Sequence, residues 1–230
     1  MKGDRITAKI KSRKKVAQGT YQVDFDVSKE NVEFVAGQHT GVWLPKLLYD
    51  DPRGNFRLFS ICSSPNNKKI LSVAFSDRGS GFKRTLIELP IGTEVEIMKP
   101  VGFFVLPVDK KQKIAFIAGG IGITPFRSML NYAAEKKLPN KIVLYYVNRS
   151  KETTTFLPEL KKLASKNKNF SLKNFIGREK FIAEVKKLSN PAEFLWYIAG
   201  PPGLVAEIRN TLILNKVNPN KILTEEFSGY

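Results

Sequence analysis

The chain changes its hydrophobic rhythm once, near residue 110, and that change restricts the folds open to it more than any other feature. From Arg5 to about Pro107, short apolar runs are separated by turn residues: ITAKI, TYQVDFDV, TGVWL, FRLFSIC, ILSVAFS and TEVEI. A series of short strands with this punctuation predicts an antiparallel β-barrel or sandwich. One helix is expected to interrupt it near 82–89, where Phe82, Thr85, Leu86 and Leu89 fall at helical spacing. Beyond Lys113, strands read at 114–118, 142–147, 170–176, 194–199 and 221–227, alternating with helical stretches at about 124–137, 157–166, 180–188 and 202–215. Continuous apolar runs read as strands buried on both faces, and their alternation with helices predicts a doubly wound, five-stranded parallel sheet. The expected organisation is an N-terminal antiparallel β-barrel over 1–108 and an α/β domain over 109–230, joined by the polar segment around Asp109, Lys110, Lys111 and Gln112.

Three segments carry chemistry. Gly119, Gly120, Ile121, Gly122, Ile123, Thr124 and Pro125 follow the first parallel strand directly. Thr124 suits an N-cap and Pro125 a first helical position, so a helix is expected to begin there. The glycines allow close approach to the backbone, and a helix N-terminus favours an anion. The position after a parallel strand is the ligand crevice of an open α/β sheet, although the spacing is not GxGxxG and a tight structural turn uses the same residues. A second permissive turn, Ala199 to Gly203 with Gly200 and Pro201 at its centre, follows the fourth parallel strand at the same sheet edge. In the first half, alternation along Arg57, Leu58, Phe59 and Ser60 sets Arg57 and Phe59 on one face. An arginine beside an aromatic fits a ligand with a phosphate and a ring, and also fits an ordinary surface strand.

Composition narrows the chemistry. One cysteine, Cys62, and one histidine, His39, leave no disulfide framework, no all-cysteine iron–sulfur cluster from this chain and no His/Cys zinc site, so redox chemistry here needs an organic cofactor. The net charge of +17 suggests a nucleic acid, a membrane surface or an acidic protein as partner, and the basic residues are scattered rather than blocked. The densest run, Lys9, Lys11, Arg13, Lys14 and Lys15, reads as the solvated face and turn of an early strand. No stretch reaches the roughly 18 apolar residues of a membrane span, and the N-terminus lacks a signal-peptide core, so a cytoplasmic location is expected.

These motifs together resemble the ferredoxin–NADP reductase superfamily across nearly the whole chain. The family's Arg-x-Tyr/Phe-Ser is matched by Arg57, Phe59 and Ser60, and its Gly-Gly-x-Gly-Ile-Thr-Pro by Gly119 to Pro125. Further matches are Phe34, Ala36, Gly37 and Gln38 before Leu44-Pro45, then Tyr146, Asn148, Arg149 and Ser150, then the ending Glu226 to Tyr230. The resemblance implies a flavoprotein oxidoreductase in which an N-terminal barrel binds FAD and the second domain binds NAD(P)H. Arg57 would hold the flavin diphosphate, Phe59 would stack on the flavin, Ser60, followed by Ile61, would lie near the hydride-accepting N5, and Tyr230 would cover the ring. Gly81, Phe82 and Lys83 would form the second phosphate contact. Gly119, Gly120, Gly122, Ile123, Thr124 and Pro125, with Gly200 and Pro201, would hold the dinucleotide. Arg149, Lys151 and Arg178 favour a 2′-phosphate and so NADPH.

Three departures from the family pattern stand out. Ala199 replaces the usual cysteine, Lys83 replaces a Ser/Thr hydroxyl, and His39 replaces a frequent aromatic. The implied activity is hydride transfer between nicotinamide and flavin, coupled to one-electron exchange with an acidic carrier such as ferredoxin or flavodoxin. Reduction of free flavin, ferric chelates or quinones is the alternative enzyme reading, and a non-catalytic redox-sensing module is a third. Oligomeric state is not legible.

Overall fold

The computed structural model describes residues 5–227. The first half forms a six-stranded antiparallel sheet from β1 (Arg5–Ala17), β2 (Thr20–Asp26), β3 (His39–Trp43), β4 (Phe56–Ser60), β5 (Ile70–Ser76) and β6 (Glu94–Met98), with α1 (Gly81–Glu88) before the last strand. The strands run in the order β4-β3-β6-β1-β2-β5. A bridge between Ile61 and Val73 joins the two edges and closes the sheet into the expected barrel. Its interior holds Ile10, Val23, Phe25, Val42, Phe75, Phe82 and Ile97, all fully buried.

β1 is longer than the run ITAKI suggests because it serves two partners. Arg5–Lys9 pair with β6, Lys9–Ala17 pair with β2, and a register shift falls between Ile10 and Ser12. Lys9, Lys11, Lys14 and Lys15 are exposed, as a solvated face requires. The turn expected within this run instead comes later, at Gln18 and Gly19, where Gly19 has φ +63°. Arg13 is half-buried and donates to the carbonyl of Ile87 at the end of α1, where a cation offsets the negative helix terminus.

The second half is a five-stranded parallel sheet in the order β11-β10-β7-β8-β9, built from β7 (Lys113–Gly119), β8 (Ile142–Asn148), β9 (Phe170–Ile176), β10 (Phe194–Gly200) and β11 (Ile222–Glu226). Its strands alternate sharply between two cores. Ile114, Phe116 and Ala118 face a cluster with Phe126, Met129 and Leu130 of α2 (Ile123–Glu135) and Leu160 of α3 (Leu157–Lys166). Ala115 and Ile117 face a cluster with Phe181 and Val185 of α4 (Arg178–Lys186) and Val205, Ile208 and Leu212 of α5 (Pro202–Leu214). Strand order reverses between β7 and β10, which places the switch-point crevice at their carboxyl ends.

The first of these cores also takes in Ala36, Cys62 and Ala74 from the barrel, so the two sheets share apolar packing. Polar contacts fix the same junction. Arg127 donates to the Cys62 carbonyl at 2.7 Å while holding Glu159, and Ser128 donates to the Ser63 carbonyl at 2.6 Å. The Tyr197 hydroxyl reaches the Val105 carbonyl at 2.6 Å. Among the described residues, no helix is long and apolar enough to cross a membrane.

Candidate functional site

Two clefts open along this junction. The first, about 980 Å³, runs from the N-terminus of α1 along β4 to the carboxyl end of β11, with His39, Arg57, Phe59, Ser60, Phe104 and Glu225 in its wall. The second, about 700 Å³, sits at the switch point and is lined by Gly119, Gly120, Ile121, Asn148, Arg149 and Pro201. Arg78 and Phe227 line both, so the clefts adjoin there.

At the outer end of the first cleft, Arg57 and Asp51 form a buried ion pair, their side chains 8% and 4% exposed. Arg57 also donates to the carbonyls of Arg53, Gly54 and Phe56 at 2.9, 3.0 and 2.6 Å. Its guanidinium lies 5.1 Å from the Phe82 ring centroid. Asp51 accepts from four donors in all: Arg57 and the Arg53 N–H on Oδ1, and the Ser80 hydroxyl and Phe82 N–H on Oδ2. Burial raises its pKa, yet these donors overcome the penalty and hold the carboxyl well below the usual carboxylate range. Ser80 caps α1, accepting from the Lys83 N–H at 3.4 Å. Lys83 is buried, donates to the Ser76 carbonyl at 2.9 Å, and is pushed down to about 8 by burial.

At the inner end, Ser60 donates to Glu225 Oε1 at 2.5 Å, tying the end of β4 to the end of β11. Burial raises the Glu225 pKa, and the Ser60 hydrogen bond opposes that rise. His39 is the cross-strand neighbour of Ser60 and is half-buried, and burial lowers its pKa, so the ring is neutral at neutral pH. Gly102, at φ +126°, leaves room for it, since a Cβ there would stand 3.0 Å from His39 Nδ1.

The second cleft owes its shape to glycine. A Cβ on Gly122 would lie 2.2 Å from the Ala199 carbonyl oxygen, so the turn after β7 packs directly on β10. Gly120, at φ +54°, has nothing within 4 Å of an added Cβ, and it is part of the cleft wall. Both amide atoms of Asn148, which lies beside the Tyr146 hydroxyl, are buried without a hydrogen-bond partner at the edge of this cleft.

Comparison with known proteins agrees with this geometry. Residues 116–210 match the oxidoreductase NAD-binding domain family. The chain is 34% identical over 146 residues to a flavohemoprotein of Candida norvegensis, covering 62% of this chain and 36% of that protein. It is 25% identical over 226 residues to the anthranilate 1,2-dioxygenase electron transfer component of Acinetobacter baylyi, covering 92% of this chain and 64% of that one. The chain thus spans between about a third and two thirds of the length of these curated relatives. The ferredoxin-NADP+ reductase structure from Plasmodium falciparum superposes with a TM-score of 0.81 at 19% identity, covering 97% of this chain and 96% of that one. The flavohemoglobin of Malassezia yamatoensis with bound FAD and heme gives a TM-score of 0.82 at 20% identity, covering 98% and 60%. The chain therefore carries an oxidoreductase NAD-binding domain over residues 116–210 and shares the two-domain fold of ferredoxin-NADP+ reductase.

Against this reductase fold the expected site residues divide into those that line a cleft and those that build it. Arg57, Phe59, Ser60, Gly81 and Lys83 line the first cleft, whereas Ile61 and Phe82 are fully buried behind it. Gly119, Gly120, Arg149 and Pro201 line the second. Gly122, Ile123, Thr124 and Pro125 are buried beneath the turn, and Gly200, at φ +155°, packs on Gly119. Thr124 is not the N-cap: α2 starts at Ile123 after a 3₁₀ turn, Gly122 caps it, and the Thr124 hydroxyl donates back to the Ile121 carbonyl at 3.0 Å. Arg178 also lines the second cleft, where it is engaged by Glu207 and by the Gly203 carbonyl. Ala199 is fully buried, its methyl part of the core rather than the cleft. Tyr230 lies outside the described residues.

Sequence reasoning missed Asp51 and Glu225. The family ending drew attention to Glu226, but it is Glu225 that meets Ser60. The doublet Glu225-Glu226 at the end of the last strand was the available signal; both line the cleft, and Glu225 is the one bonded to Ser60. Asp51 gave no sequence signal beyond its place in a DPRG turn.

Proposed function

We propose that the chain oxidises NAD(P)H through a bound flavin and passes electrons singly to an external acidic carrier, with residues 1–108 as the flavin-binding unit and 109–230 as the dinucleotide unit. The observation that carries this reading is the meeting of the two clefts at Arg78 and Phe227, which gives two cofactors a common boundary. The first cleft fits FAD: Arg57 and the start of α1 supply donors already gathered on one carboxylate, and the cleft extends from them to Ser60. A flavin bound there would supply the conversion between two-electron and one-electron transfer.

The chain's own residues then have separable tasks. Arg57, Ser80 and the Phe82 N–H bind phosphate, while Phe59 packs between Phe75 and Phe82 and stiffens the wall carrying Ser60. Ser60 and Glu225 position one another at the inner end, and the neutral His39 beside them adds no competing charge. Gly120 leaves the backbone open to the dinucleotide, and Gly119 and Asn148 line the same cleft. Arg149 in the cleft wall favours NADPH over NADH. The charge of +17 steers an acidic carrier such as ferredoxin or flavodoxin.

The test is anaerobic mixing of the FAD-loaded protein with NADPH or NADH, followed at the flavin band. Turnover is then measured with ferredoxin, flavodoxin, free flavin and ferric chelates at low and high salt. Carrier turnover that falls as salt rises supports the proposal. Absence of flavin reduction by either dinucleotide overturns it. The Asp51 carboxylate at the phosphate end favours one second reading, reduction of exchangeable flavin as substrate, which the same acceptor panel resolves.

A further inference from the structure

The phosphate end of the first cleft contains its own anion. Asp51 draws together donors from three sources: the Arg57 guanidinium on β4, the Ser80 hydroxyl at the cap of α1, and the Phe82 N–H in its first turn. A fourth, the Arg53 N–H, comes from its own loop. A pairing of arginine with helix N-terminal N–H groups is the chemistry that binds a phosphate, and here a carboxylate satisfies it. The loop is seated tightly: a Cβ on Gly81 would fall 2.2 Å from the Asp50 carbonyl oxygen and 2.7 Å from that of Tyr49. Arg57 in turn is held by the Arg53 and Gly54 carbonyls of the same loop and by that of Phe56 at the start of β4, so the loop and the arginine form one closed unit.

We infer that Asp51 is an intramolecular stand-in for the flavin phosphate, displaced when a phosphorylated flavin binds and returning when it leaves, so that the chain favours exchange of its flavin over permanent retention. The inference rests on the flavin reading of the first cleft. Two anions cannot share these donors, because a phosphate beside an ionised carboxylate meets like-charge repulsion as well as lost hydrogen bonds. The loop's carbonyls keep Arg57 aimed at the same point while the cleft is open to solvent, so the arginine is preorganised for the exchange. A flavin without phosphate has no need to move Asp51.

That difference supplies the experiment. Fluorescence titration of the parent, Asp51→Asn and Asp51→Ala with FAD, FMN and riboflavin reads binding directly, without turnover. Thermal melts of each protein confirm a folded state, and the near-isosteric asparagine covers the case in which alanine does not fold. The expected result is a dissociation constant about tenfold or more lower for FAD and FMN in the variants, since a charge-assisted contact is released to the ligand. Riboflavin affinity should stay within about twofold of the parent. Equal tightening for riboflavin, weaker FAD binding in the variants, or identical binding throughout overturns the inference while leaving the flavin site standing. Failure of all three flavins to bind parent and variants overturns the flavin site and the inference with it.

Discussion

Gly120 and Gly122 stand in one turn, yet their substitutions should act on different properties. At Gly120 the space is open, and the cost is conformational: φ is +54°, where a side chain is disfavoured by roughly 1–2 kcal/mol. In a protein of this size each kcal/mol moves the melting temperature by about 2–4 °C, so Gly120→Ala should lower it by roughly 2–8 °C. Gly120→Val adds methyls directed into the second cleft and should slow flavin reduction by NAD(P)H while leaving flavin bound. At Gly122 the backbone is ordinary, with φ −58°, but an added Cβ meets the Ala199 carbonyl oxygen at 2.2 Å and carbon at 2.5 Å, and the Gly200 nitrogen at 2.8 Å. None of these is a side-chain end that can swing away. Gly122→Ala must part the turn from β10, an overpacking penalty of about 1–3 kcal/mol or more. Thermal melting and rapid-mixing reduction of the flavin, run on all three variants, separate the two effects. Unchanged reduction kinetics in Gly120→Val across dinucleotide concentrations would remove the nicotinamide from this cleft, and a parent-like melt of Gly122→Ala would refute the close approach of β10 and the turn after β7.

Arg57→Ala should weaken FAD binding by roughly 1.5–3 kcal/mol, about ten- to a hundredfold in dissociation constant, read by fluorescence titration. Lys83, with its pKa lowered from 10.5 to about 8 in the fold, loses its proton earlier there than in the unfolded chain. Stability should therefore rise with pH between about 8 and 10.5, and Lys83→Met should abolish that rise in denaturant melts. Glu225 has the opposite sign for an acid: its raised pKa makes stability fall as pH climbs from 4.5 through the folded value, and Glu225→Gln should flatten that fall. Cys62, fully buried and pushed up to about 11 by burial, should react with a disulfide-exchange thiol reagent only on unfolding.

The fold was legible because its signals are local and periodic. Continuous apolar runs marked β7, β8 and β10 to within about two residues, since strands buried on both faces leave little room for polar residues. β1 was read short because its second half alternates only partly: Ser12 and Arg13 are half-buried, and the strand passes from β6 to β2 through a register shift. Thr124 was misjudged as a cap for a related reason. The glycines form a 3₁₀ turn that moves the helix start to Ile123, and a hydroxyl one position inside the helix bonds back to Ile121.

The site was legible only where one segment carries it. Gly119 to Pro125 and Arg57 to Ser60 announce themselves as contiguous motifs, but Ser60 and Glu225 are 165 positions apart, and their contact exists only because the closed barrel and the parallel sheet bring the ends of β4 and β11 together. Asp51 shows the same limit from the other side. A motif predicts what Arg57 is able to bind, whereas the loop geometry decides what it binds when no ligand competes, and a carboxylate six residues away in sequence has an advantage of effective concentration over any ligand in solution. The arginine alone cannot distinguish retention of a flavin from its exchange; that depends on whether a phosphate can outcompete an acid tethered beside it.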